Sequence, residues 1–289
     1  MVRKEDLMKK ILFIFLFLFG IVCFTNIQTS AASTVAKGKC GKNATWILSE
    51  DGVMHIKGKG ILKGEKNGWN KYQYKIKKIV IGKGITIIKE TALASMHNIK
   101  EIKLPNSVKK IENGAFMDCG KLEKINIPST VNELPNNIFS GCEKIEQITL
   151  PKKLKKIGAY AFYKCKRLKQ ITIPKTVKHI GIGAFADSRL LKSIKFEEGS
   201  ELEVIEQDAF CCCGIESIEI PEGVTFLTKG SFLECPNLHS AKLLNREKVT
   251  LEHNVFRGVA DDFVLTIFDT TELCGVIEIP PEKINKIKE

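Results

Sequence analysis

Apolar residues return to one slot every 23 residues through the middle of this chain. The column runs from Ile102, in Ile-Lys-Leu-Pro, to Ile125, Ile148, Ile171 and Ile194, then after 24 residues to Ile218. Backwards it reaches Ile79, and forwards Ala241. A second column keeps step: Ala115-Phe116, Ile138-Phe139, Ala161-Phe162, Ala184-Phe185, Ala209-Phe210, Ser231-Phe232 and Val255-Phe256. Self-similarity at a fixed period of about 20 to 50 residues marks a stacked solenoid, whose units bury their apolar faces only against their neighbours. Such a core grows along one axis, so 289 residues need not divide into globular domains. The 44% hydrophobic content is ample for it.

One unit, Leu122 to Ile145, shows how the repeat is built. Ile125 and Ile127 alternate with polar neighbours, the pattern of a strand with one buried face. Pro128 stops the strand because it has no N–H to give a ladder. The same stop stands at Pro105, Pro151, Pro174 and Pro221. Two apolar residues three apart follow: Val131/Leu134 here, and Val108/Ile111, Leu154/Ile157, Val177/Ile180 and Val224/Leu227 elsewhere. The Ala-Phe pair then reads as a short helical turn that sets one aromatic ring in the core. Each unit is thus strand, bend, turn and return, with the strands of successive coils stacking in parallel.

The pattern Leu-x-x-Ile-x-Ile-Pro-x-x-Val-x-x-Ile-x-x-x-Ala-Phe-x-x-Cys resembles the BspA-like (treponemal-type) leucine-rich repeat. It fits best from about Ile99 to Leu191 and acceptably from Ile76 to Phe256. The fold expected is a leucine-rich repeat solenoid of about eight repeats over 76–258, one parallel β-strand per ~23 residues with short helical or 3-10 turns, capped at both ends. Residues 33–75 are read as the amino-terminal β cap, with Asp51-Gly52 as a hairpin turn between alternating runs. Beyond Phe256 the phase is lost. Phe263 to Ile267 is strand-like, and Ile277-Glu278-Ile279-Pro280 restates strand and stop, so 259–289 is read as the carboxy-terminal cap.

Residues 1–32 read as a secretory signal peptide: Lys9-Lys10, an apolar run from Ile11 to Phe24, and small residues at Ser30, Ala31 and Ala32. The run is shorter than the ~20 residues of a comfortable membrane span, although an uncleaved anchor stays open as an alternative. The expected site of action is secreted or at the cell surface, with no membrane span after cleavage. Cleavage lowers the formal net charge from +12 by 2, to +10. A basic surface of this kind either keeps an exported protein soluble or draws it to an anionic glycan, wall polymer or acidic protein. Nucleic acid is an unlikely partner, because no base-reading element accompanies the charge.

Nine of the ten cysteines remain after cleavage. Cys119, Cys142, Cys165, Cys213 and Cys235 share one repeat slot with Ser188, which suggests a small buried side chain rather than a disulfide partner. In Cys211-Cys212-Cys213 one cysteine belongs to that slot and the other two read as its neighbours. The run lacks the ligand spacing of a metal site.

No His-Glu-x-x-His, Gly-x-Ser-x-Gly, phosphate loop or dinucleotide glycine set is present, and no catalytic residue, metal or cofactor is assigned. The candidate function is binding. Outward strand positions form polar columns, one of them Lys103, Asn126, Thr149, Thr172, Lys195 and Glu219, with a further column of Lys110, Glu133, Lys156 and His179 beyond the prolines. From these, Lys103, Asn126, Thr149, Thr172, Lys195, Lys110, Lys156 and His179 are the candidate binding residues. The columns lack the aromatic cluster of a hot spot and are equally readable as a solvated face. The resemblance implies adhesion to an extracellular or host protein, to matrix, or to other cells. A structural component of a cell-surface layer, associating with itself or with an anionic wall polymer, is the other reading.

Overall fold

The computed structural model describes residues 32–64 and 68–288. The signal-peptide reading lies outside them, apart from Ala32. The described chain is a parallel β-solenoid of about 10 turns, begun by three antiparallel strands, Thr34–Gly41, Asn43–Ser49 and Val53–Leu62. The third of these starts two ladders. Its Val53 to Ile56 part pairs in parallel with Lys78–Ile81, and its Gly60 to Leu62 part pairs with Ile85–Ile88. Between them the strand bends at Gly58, with φ at 112°; a Cβ there would lie 2.0 Å from the Asn43 carbonyl oxygen. Only glycine fits that crossing.

The first ladder follows the Ile-x-Ile column. It runs through Glu101–Lys103 and Lys124–Ile125, resumes with Gln170–Ile173 and Ser193–Phe196, and again with Ser217–Ile220, Ser240–Leu243, Val264–Phe268 and Ile284–Ile287. Where the stop position holds proline there is no donor. Where it holds Gly82, Glu197 or Leu244, the N–H continues to the previous coil, at 2.8, 3.1 and 3.0 Å. The last rung is Ile284–Ile287 and not Ile277-Glu278-Ile279, which makes no strand.

The second apolar pair of each unit, expected as part of a bend, makes a ladder of its own. Two-residue strands such as Lys110–Ile111, Glu133–Leu134, Lys156–Ile157 and His179–Ile180 stack in parallel, and the row continues to Glu272–Gly275. It breaks once, between Lys110–Ile111 and Glu133–Leu134. At the next residue Glu112, Gly158, Gly181 and Glu206 each donate N–H to the preceding coil, at 2.9 Å. Pro135 occupies that slot in the intervening coil and cannot donate, so the Ile111 carbonyl loses its partner.

The Ala-Phe segment forms tight turns, and the described 3-10 helices lie elsewhere, at Asn70–Tyr72 and Pro281–Lys283. Alternate N–H groups of the turn point along the solenoid axis. Gly114, Phe116 and Asp118 donate to Asn136, Ile138 and Ser140 of the next coil, and Tyr160, Phe162 and Lys164 to Ile182, Ala184 and Ala186. The pattern recurs without a break from Thr91 to Glu234. Aiming alternate N–H groups the same way around a tight turn requires φ above zero at the first and last of the three. Among the described residues, all eleven non-glycine residues with positive φ fall in these two slots, Thr91, Asn137, Tyr160, Asp187 and Cys212 among them. Inside the turns Phe116, Phe139, Phe162, Phe185, Phe210, Phe232 and Phe256 stack with centroids 5.1–5.7 Å apart, an offset aromatic column through the core.

The shared cysteine slot faces this column, and size is only part of its role. Cys142, Cys165 and Cys235 donate Sγ–H to the carbonyls of Phe116, Phe139 and Phe210 at 3.1–3.3 Å. Ser188 donates to Phe162 from the same slot at 2.9 Å. The slot selects a small buried donor. Burial pushes the Cys119 and Cys235 thiols up to about 12, which keeps them unreactive.

Candidate functional site

The eight candidate binding residues divide between two surfaces. Lys103, Asn126, Thr149, Thr172 and Lys195 are exposed along the first ladder and line one open groove of about 1410 Å³. Lys110, Lys156 and His179 lie on the second ladder, where Lys156 is paired with Glu133 on one side and His179 on the other.

The first-ladder groove is polar at its rim and apolar at its floor. Half-buried Ile125, Ile127 and Ile148 form the floor. They are reachable because the ladder is open here: Gln147 to Leu150 take no strand pairing with the coils on either side. Asn126 closes part of the opening. Its amide accepts from the Leu104 N–H at 3.0 Å and donates to the Leu104 carbonyl at 2.8 Å. Asn126 therefore holds two coils together and is less free to bind than its outward position suggested. At the amino-terminal edge Glu101 bridges Lys78 at 2.7 Å and Lys103 at 3.4 Å. The hydrogen bond from Lys78 holds its carboxyl below the ordinary range. Lys103 is thus partly neutralised, whereas Lys195, Thr149 and Thr172 carry no such partner among the described residues.

The second surface follows the Pro135 gap, where a pocket of about 580 Å³ is lined by Lys109, Lys110, Glu112, Asn136 and Lys156 among others. Glu112 takes Lys89 at 2.9 Å and, more loosely, Lys110 at 3.6 Å. Lys178 is paired with Glu203 at 2.9 Å. Lys109, Lys152, Lys153, Lys155 and Lys156 are exposed and meet no carboxylate among the described residues. His179 is half-buried, not a free rim residue.

The turn side holds an aromatic pair absent from the sequence-based list. Tyr160 and Tyr163 meet edge to face at 5.8 Å, with the Lys164 Nζ 4.9 Å from the centre of the Tyr163 ring. A tyrosine at a slot otherwise filled by Thr, Gly, Asn and Asp was the available signal. Among the described residues no group of three His, Cys, Asp or Glu side chains could hold a metal ion, and no helix is long and apolar enough to cross a membrane.

The sequence profile of the BspA type leucine-rich repeat region matches residues 69–190 and 155–268, in 6 copies. The chain belongs to this family. Among solved structures, the BspA-type chain is similar to a leucine-rich repeat protein from Bacteroides ovatus, with 23% identity, TM-score 0.44, and 81% of this chain and 78% of that one covered. It is also similar to a leucine-rich cell surface protein from Faecalibacterium prausnitzii, with 18% identity, TM-score 0.44, and coverage of 90% and 80%. A third is the T. pallidum leucine-rich repeat protein, with 18% identity, TM-score 0.41, and coverage of 84% and 91%. No curated protein matches.

Proposed function

We propose that this BspA-type protein is a secreted or cell-surface interaction protein without enzymatic activity. It binds an extracellular or host macromolecule, in adhesion to matrix or to other cells, through the groove over the first ladder. The reading rests on the opening of that ladder around Gln147 to Leu150, which places half-buried isoleucines beneath rows of polar side chains. Burial of that floor adds a favourable transfer term of roughly 25 cal/mol per Å². Only its surplus over the cost of association appears as affinity, and a rigid scaffold limits the ordering part of that cost. On this reading residues 1–32 are removed on export, 33–75 and 259–289 cap the solenoid, and 76–258 carry the surface. The test is to measure binding of the full chain and of Thr149→Arg/Thr172→Arg to purified matrix proteins and to whole cells by surface plasmon resonance. Both substitutions are exposed and leave the core untouched. Loss of binding with an unchanged melting curve supports the groove; equal binding by the variant refutes it.

The exposed lysines beside the second ladder favour a second reading. Lys109, Lys152, Lys153, Lys155 and Lys156 are exposed with no salt-bridged carboxylate among the described residues, although Glu133 stands beside Lys156 on the ladder. This net-basic surface is suited to an anionic wall polymer in a surface layer. Lys110→Glu/Lys156→Glu should weaken sedimentation with cell walls, most at low salt. Unchanged sedimentation at both low and moderate salt removes this reading.

A further inference from the structure

Cys211 and Cys212 stand apart from the slot thiols. Cys213 points inward and donates to the Phe185 carbonyl at 3.1 Å, while Cys211 and Cys212 are half-exposed on the turn side with Sγ atoms 3.4 Å apart. Cys212 has a left-handed backbone, φ 57°. The peptide joining the two is pinned from both sides. Cys212 N–H donates to Leu233 of the next coil at 2.8 Å, and the Cys211 carbonyl accepts from Asp187 of the previous coil at 2.9 Å. The two sulfurs are therefore held in contact by the solenoid.

We propose that Cys211 and Cys212 are a vicinal dithiol that closes reversibly to a disulfide by exchange with a low-molecular-weight disulfide. One thiolate attacks a sulfur of the small disulfide, forms a mixed disulfide and expels one small thiolate. The second thiolate then attacks the protein sulfur of that mixed disulfide, closes the ring and expels the other. The protein loses two electrons and two thiol protons; the small disulfide gains both pairs and leaves as two thiols. Either sulfur can open the exchange, and the 3.4 Å separation places the other to resolve it. Adjacent Cα atoms sit about 3.8 Å apart across a trans peptide, closer than the ~4.4–6.8 Å usual for a disulfide. The ring is thus strained and readily reduced, a labile bond rather than a structural one.

The test treats the native full chain with oxidised glutathione at neutral pH, quenches with acid, alkylates, and maps peptides by mass spectrometry. The expected result is loss of two hydrogens confined to Cys211 and Cys212, with Cys213 alkylated after denaturation and dithiothreitol restoring both thiols. Cys211→Ser and Cys212→Ser should each leave a lasting glutathione adduct on the remaining cysteine. Separate adducts on both cysteines of the unsubstituted chain overturn the proposal, as does a bond involving Cys213 or no change at all. An aryl arsenical that bridges two thiols gives an independent reading: the unsubstituted chain should retain it and both single variants should release it. Retention by either variant refutes the pair.

Discussion

Replacing Cys165 by Ser and by Ala separates a donor slot from a merely small one. Cys165 is fully buried, and its Sγ lies 3.3 Å from the Phe139 carbonyl oxygen. That oxygen also accepts the Cys142 N–H at 3.0 Å, so Cys165→Ala does not orphan it. The loss is the net value of one bond, about 0.5–1.5 kcal/mol, plus ~1 kcal/mol for a methyl-sized void, together about 1.5–2.5 kcal/mol. Cys165→Ser keeps the donor, as Ser188 does at 2.9 Å, and should cost less than about 1 kcal/mol. A slot chosen for size alone reverses the order, because a buried unpaired hydroxyl costs about 1–3 kcal/mol. Urea and thermal unfolding of both variants measure the difference. The difference of about 0.5–2.5 kcal/mol, at about 2–4 °C per kcal/mol for a chain of this size, should make the Ala variant melt about 1–10 °C below the Ser variant. The urea slopes should stay equal, which checks that the stack still unfolds cooperatively. An Ala variant as stable as Ser, or more so, refutes the donor role.

Asn126→Ala removes both bonds to the buried Leu104 backbone and should cost about 1–2 kcal/mol in urea unfolding, with Asn126→Asp intermediate because it accepts but cannot donate; equal stability of all three would free Asn126 for a binding role. Gly183→Ala forces a side chain into φ 55°, with its Cβ 2.5 Å from the Tyr160 ring. It should destabilise by about 1–2 kcal/mol, measured by thermal unfolding, whereas an unchanged midpoint contradicts the left-handed requirement. Glu112 has its carboxyl held low, first by the hydrogen bond from Lys89. Its contribution is complete above the unfolded Glu value of ~4.3 and is lost as pH falls through the depressed folded value. The midpoint gap between the unsubstituted chain and Glu112→Gln should therefore close on acidification and shrink with salt; a gap independent of pH contradicts the pairing.

The strand and the Phe column were legible because each repeats a residue type at a fixed interval, and burial at those slots tolerates little else. The second ladder was harder to see. Two-residue rungs such as Lys110–Ile111 are too short for alternation to register, and Val131/Leu134 spacing alone does not distinguish a bend from a rung. Pro135 was visible as a residue, but its effect depends on which carbonyl it faces, the Ile111 oxygen of another coil. Asn126 illustrates the limit for the binding surface: its column position is outward, yet its amide turns along the axis to Leu104. The two columns of candidates lie on different ladders, so Lys103 and Lys110, seven residues apart in sequence, open onto different surfaces. The unpaired coil at Gln147 to Leu150 carries no sequence mark comparable to Pro135.

Alternate turn-side amides point the same way along the axis, and this gives the stack a direction. In parallel strand ladders, alternate N–H groups point to opposite neighbours and their dipoles largely cancel. Along the turns each coil donates to the coil after it, so the peptide dipoles add, as they do in an α-helix. The positive pole lies at the carboxy-terminal end of the row. There Asn254 donates to the Glu278 carboxylate at 2.7 Å, a negative charge at the positive pole, while among the described residues no later coil meets the N–H groups of Phe256 and Gly258. The two ends of the row are chemically unlike. Two copies meeting by these carboxy-terminal ends would oppose donor to donor.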